Sequence, residues 1–185
     1  MRTFISFDPP DDVRAAITTV QNELKRADAD VSWEQPRQFH STVKFLGEIN
    51  EDLLPNIRSE LRSVSSLFRQ MQISYEAIGG FPNLRHPRVV WIGCTSDDGH
   101  LIRMKEEIDR RFVPLGFAVE DRSFHPHVTL GRVRSTRNLD HLTPMLEKCT
   151  FERRRVTLTK FFVMKSILQP RGAVYSVIDT IHLAT

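Results

Sequence analysis

Phe39-His40-Ser41-Thr42-Val43 returns 87 residues further on as Pro126-His127-Val128-Thr129-Leu130, and the pair decides how the chain is read. Each stretch alternates polar and apolar residues. In a β-strand side chains at i and i+2 share a face, so each copy aims an imidazole and a hydroxyl at one surface and packs its intervening residues on the other. His40, Thr42 and Lys44 are expected on one face and Ser41, Val43 and Phe45 on the other. His125, His127 and Thr129 oppose Pro126, Val128 and Leu130 in the same way. Two imidazoles facing each other can act as base and acid on opposite sides of a phosphorus, which is what displacement there needs when no metal takes part. A third His-x-Thr, His141-Leu142-Thr143, runs into Pro144 and reads as a loop or helix start, because proline cannot donate to a sheet ladder.

The rest of the 185 residues supplies a frame for those strands. Met1 to Phe7 reads as a strand. Pro9-Pro10-Asp11-Asp12 opens a helix whose stripe is Val13, Ile17, Val20 and Leu24. A second helix spans about 51–68 with Leu54, Ile57, Leu61, Val64 and Phe68 inward, and a third spans 98–112 with Leu101, Met104, Ile108 and Phe112 inward. Strands are expected at 73–78 and 89–93 around a loop at 79–87, a short helix at 139–146, and closing strands at 156–163 and 174–183. An Asp pair, Asp11-Asp12 or Asp97-Asp98, opens the helix before each motif strand, so the chain reads as two similar halves contributing one motif each to a shared cleft.

With 40% hydrophobic residues the chain can bury one substantial core, and a single domain over 1–185 is expected. The apolar run Thr3 to Phe7 is too short for a signal core, and no later stretch approaches a membrane span. Cys94 and Cys149 form no ligand spacing, so a reduced, cytoplasmic setting and a monomer are the expectations. The net charge is +3, but residues 1–131 hold 16 basic and 19 acidic side chains while 132–185 hold 10 and 4. That excess, including Arg132, Arg134, Arg137 and Arg153-Arg154-Arg155, would attract a polyanion such as RNA, or else form a solvated face. Arg132 is the best phosphate contact by position, although strand parity puts it on the Val128 side unless the strand bulges. Lys44 is a second candidate from the His40 face.

The phrases MRTFISFDPP, WEQPRQFHSTVKFLGE, GGFPNLRHPRVVWIG, FHPHVTLGRV and QPRGAVYSV resemble the RNA 2′,3′-cyclic phosphodiesterases, or 2′-5′ RNA ligases, of the two-histidine phosphoesterase superfamily. Ser41 and Val43 stand where that family more often has Leu. The resemblance implies a bilobal α+β fold, two antiparallel sheets with helices outside and a central cleft. It also implies hydrolysis of a terminal 2′,3′-cyclic phosphate to a 2′-phosphomonoester, reversible as 2′-5′ ligation, on RNA ends or small cyclic nucleotides. His40 would be proton donor and His127 proton acceptor, with Thr42 and Thr129 on the non-bridging oxygens and no cofactor or metal. Two other readings use the same residues: a metal-dependent hydrolase built on His125-x-His127, and an RNA-binding module without catalysis.

Overall fold

The computed structural model describes residues 1–169 and 172–185; Pro170 and Arg171 of the QPRGAVYSV phrase lie outside the described residues. The strands are β1 (Arg2–Phe7), β2 (Val31–Trp33), β3 (Ser41–Glu48), β4 (Met71–Phe81), β5 (Val89–Thr95), β6 (His127–Val133), β7 (Arg154–Leu158), β8 (Lys160–Gln169) and β9 (Gly172–His182). The helices are α1 (Asp11–Lys25), α2 (Leu54–Leu67), α3 (His100–Phe112) and α4 (Leu139–Lys148).

Antiparallel pairing runs β7-β4-β5-β6-β3-β1-β8-β9, with β2 added on β6. This is one hydrogen-bonded path where two sheets were expected. The path is nonetheless nearly divided, because its two four-stranded halves meet at a single residue pair, Ser41 opposite Val128. Those are the middle residues of the two His-x-Thr motifs, so the seam that joins the halves also places the motifs side by side.

One face of the sheet and the helical stripes form the core. Val13, Ile17 and Leu24 of α1, Ile57 and Leu61 of α2, and Leu101, Met104 and Ile108 of α3 pack with Ile5, Val43, Val90, Ile92, Val128 and Leu130 from the strands. Each such side chain contributes roughly 1.5–3 kcal/mol on burial, which holds the helices on this face and leaves the other open. Several expected boundaries shift. β4 continues through Gly79 and Gly80, which pair with Trp91 and Val90, and the Trp91 ring covers Gly79, where a Cβ would come within 2.0 Å of it. The strand expected at 156–163 breaks into β7 and β8, and the three-residue β2 is an addition to the expected elements. His141 and Thr143 lie on α4, so the third His-x-Thr is helical. Among the described residues no helix is long and apolar enough to cross a membrane.

Candidate active site

Both motif strands carry a β-bulge at the same place. In β3, Thr42 pairs with Ser6 and Lys44 with Ile5, which leaves Val43 as an extra residue. In β6, Thr129 pairs with Trp91 and Gly131 with Val90, which leaves Leu130 extra. A bulge reverses the side-chain parity of everything after it. Arg132, five residues after His127, is thereby turned into the cleft, where strict alternation would have buried it.

The same device overturns the expectation for Lys44. Its side chain is 1% exposed on the core side, and its Nζ donates to Asp109 Oδ1 at 2.6 Å and to the Ala118 carbonyl at 3.0 Å. Lys105 holds the other Asp109 oxygen, and its Nζ also sits 3.6 Å from Glu120 and 5.8 Å from the Phe124 ring centroid. Lys44 therefore ties β3 to α3 and to the segment that precedes the second motif. A phosphate cannot reach it. Phe45 takes its place in the cleft wall and is 61% exposed, contrary to the alternation expected for it.

The two imidazoles are held in matching ways. His40 Nδ1 lies 2.7 Å from the Gln38 carbonyl and His127 Nδ1 lies 2.6 Å from the His125 carbonyl. A carbonyl only accepts, so each Nδ1 carries the proton and each Nε2 is left for chemistry. Arg14 of α1 clamps the turn before His40 by donating to the Pro36 and Phe39 carbonyls. Across the molecule the Cys94 amide donates to the Pro126 carbonyl and fixes the approach to His127. Aromatic rings bracket each imidazole: Phe4 and Tyr175 lie 5.1 and 4.9 Å from His40, and Phe81 and Trp91 lie 5.1 and 6.0 Å from His127, centroid to centroid.

Burial is the largest influence on both titrations and holds both imidazoles below the usual histidine pKa. The positive charge of Arg132 acts on both in the same direction, and His127 acts on His40. Both imidazoles line the same cleft.

His40, Thr42, His127, Thr129 and Arg132 line one cleft of about 1000 Å³, which the structure brings together from both halves. Glu34, Trp33 and Tyr175 line it as well and carry no motif of their own in the sequence, although Trp33 and Glu34 lie in the phrase leading to the first motif and Tyr175 in the C-terminal one. His125 is exposed, and it is its carbonyl that meets the His127 ring. Among the described residues no three His, Cys, Asp or Glu side chains are grouped to hold a metal. The Arg153–Arg155 run is paired with acids: Arg153 with Asp97 and Glu76, Arg154 with Glu152, and Arg155 with Asp97.

The family described as LigT-like phosphoesterase matches this chain twice, over residues 7–91 and 92–175, one match for each motif. An RNA 2′,3′-cyclic phosphodiesterase of Methanothermobacter thermautotrophicus is 32% identical over 184 residues, covering 99% of both chains. One of Archaeoglobus fulgidus is 34% identical over 176 residues, covering 95% of this chain and 96% of the relative. Among solved structures, a protein of Thermus thermophilus superposes with a TM-score of 0.82 at 25% identity over 99% and 98% of the two chains. E. coli LigT, crystallised with 3′-AMP, shares the fold with a TM-score of 0.72 at 22% identity over 100% and 98%. With its repeated family match and full-length relatives, the chain belongs to the LigT-like phosphoesterases.

Proposed function

We propose that the protein hydrolyses the terminal 2′,3′-cyclic phosphate of RNA to a 2′-phosphomonoester, with His40 and His127 as a general acid and base and no metal in the reaction. The observation that carries this reading is the matched pair of imidazoles in one cleft, each with Nδ1 committed to a carbonyl and Nε2 free. The names of the full-length relatives support the substrate.

His127 Nε2 takes a proton from water as the water oxygen attacks phosphorus. The bond from phosphorus to the ribose 3′ oxygen breaks, and His40 Nε2 delivers its proton to that oxygen. His127 ends charged and His40 neutral, and exchange with solvent resets the pair. Thr42, Thr129 and the Arg132 guanidinium face the non-bridging oxygens, where charge accumulates in the transition state. An RNA 5′ hydroxyl attacking in place of water uses the same two groups and gives a 2′-5′ linkage.

The lowered pKa values set the pH dependence. The base must be neutral, so turnover falls as pH drops through the His127 pKa, and the acid must be protonated, so turnover falls as pH rises through that of His40. With both lowered in the free protein, kcat/KM is greatest on the acid side of about 6.5, the ordinary histidine value. A bound phosphate anion favours imidazolium, so kcat peaks at higher pH than kcat/KM. The test is an oligonucleotide ending in 2′,3′-cyclic phosphate, incubated with the protein and EDTA. A 2′-phosphate product is expected; a 3′-phosphate product, or no turnover until a metal is restored, would overturn the reading.

A further inference from the structure

Glu34 is an acidic side chain in the wall of the cleft proposed to bind a phosphate, and its backbone is held from two sides. Its amide donates to the Leu130 carbonyl, one residue beyond Thr129, at 2.9 Å. Its carbonyl accepts from Gln21 Nε2 at 2.7 Å, and Gln21 is fully buried and also bonded to the Leu130 carbonyl at 2.9 Å. Glu34 is thus pinned to the strand of the second motif while lying six residues before His40 of the first. Glu34 lines the cleft, and among the described residues its carboxylate receives no hydrogen bond; burial raises its pKa, and Arg132 is the charged neighbour that opposes the rise. Tyr175 and Trp33, the chain neighbour of Glu34, line the same cleft.

When a ligand displaces water from the cleft, a half-buried carboxylate with no donor among the described residues takes its hydrogen bonds from that ligand. The terminal nucleotide of the proposed substrate offers few. Its 2′ and 3′ oxygens are closed in the phosphate ring and its 5′ oxygen is esterified, so the N–H groups of the base are the only donors it has left. Guanine presents two adjacent donors, N1–H and the 2-amino group, which match the two oxygens of a carboxylate. Uracil presents one donor flanked by two carbonyl oxygens, which repel it. We infer that Glu34 reads the Watson–Crick edge of the terminal base, beside the Trp33 and Tyr175 rings, and makes this protein prefer guanosine 2′,3′-cyclic phosphate ends over uridine ends. This rests on the reaction proposed above.

The test compares kcat/KM for guanosine and uridine 2′,3′-cyclic phosphates in the wild-type protein and in Glu34→Gln, whose amide keeps the size but loses one acceptor. The backbone bonds of Glu34 are unaffected by the change, and an unchanged circular dichroism spectrum and melting temperature check the fold. Wild type is expected to favour guanosine by about tenfold or more, the scale of one good bidentate base contact, and Glu34→Gln is expected to lose most of that ratio. A guanosine-to-uridine ratio below about twofold in wild type, or one that Glu34→Gln leaves in place, overturns the inference, as does an equal loss on both substrates. Binding of guanosine and uridine 2′-monophosphates, measured by calorimetry, separates the two proposals. If neither cyclic phosphate turns over while guanosine 2′-monophosphate is still preferred and Glu34→Gln abolishes the preference, the hydrolytic reading fails and the base reading stands.

Discussion

Strands β3 and β6 begin alike and end differently. β3 starts one residue after His40 and β6 starts at His127; both turn their Thr to the cleft, both meet at the Ser41–Val128 pair, and both bulge at the residue after the Thr. After the bulge, the fourth position from the His turns to the core and the fifth to the cleft. In β3 those are Lys44 and Phe45; in β6 they are Gly131 and Arg132. One half therefore spends its cation inside, holding α3, and offers an aromatic ring to the cleft, while the other keeps its core position empty and offers a guanidinium. The shared part of the device supplies the proton-transfer pair. The unshared part makes the cleft asymmetric, and an asymmetric phosphodiester needs that.

The largest effect should come where the halves agree. His40→Ala and His127→Ala are each expected to lower kcat by roughly 10²- to 10⁴-fold on a cyclic phosphate end, with melting temperatures near wild type. Where they differ, the consequences should separate. Arg132→Met should cost about 10²-fold in kcat/KM, the scale of one donor at a developing oxyanion, with little loss of stability. Lys44→Met should do the reverse: about 3 kcal/mol of unfolding free energy by denaturant titration, since it strips a buried partner from Asp109, with kcat/KM falling much less than in Arg132→Met. Equal catalytic losses in the two would mean that Lys44 reaches the substrate after all. Gly131→Ala tests why no side chain stands at the equivalent site. Its Cβ would fall 2.6 Å from Val31 Cγ1 and 2.8 Å from Trp33 Cε3. Loss of roughly 1–3 kcal/mol is expected from such overpacking.

Smaller effects sharpen the picture. Arg132 lowers both imidazole pKa values, so Arg132→Met should move both limbs of the kcat/KM profile to higher pH. At the seam, Ser41 Oγ is buried and among the described residues has no partner, whereas Val128 opposite it is apolar. Ser41→Ala should stabilise the fold by up to about 1 kcal/mol, because a buried hydroxyl that bonds nothing is costly.

The strands, helices and two motif faces were readable because alternation and helical stripes follow directly from burial. The bulges were not, since Val43 and Leu130 are ordinary strand residues and only pairing with β1 and β5 shows that they are extra. The bulges account for both the burial of Lys44 and the turn of Arg132 into the cleft. The single sheet path was hidden for a similar reason, as one residue pair leaves no mark in composition. Glu34 and Tyr175 are not marked in the sequence, because a lone Glu before a proline turn and a lone Tyr in a strand carry no spacing signal; their meaning comes from what the fold sets beside them.

The division of labour between the halves is tested most directly by removing the need for an acid. In 3′-deoxyadenosine 2′-(p-nitrophenyl phosphate) the nitrophenolate stands in for the ribose 3′ oxygen and leaves without a proton, while water still needs a base. His40→Ala should then come within about tenfold of wild type while His127→Ala stays at least about 10²-fold below it. Equal loss in both variants, or rescue of His127→Ala in place of His40→Ala, would contradict the account.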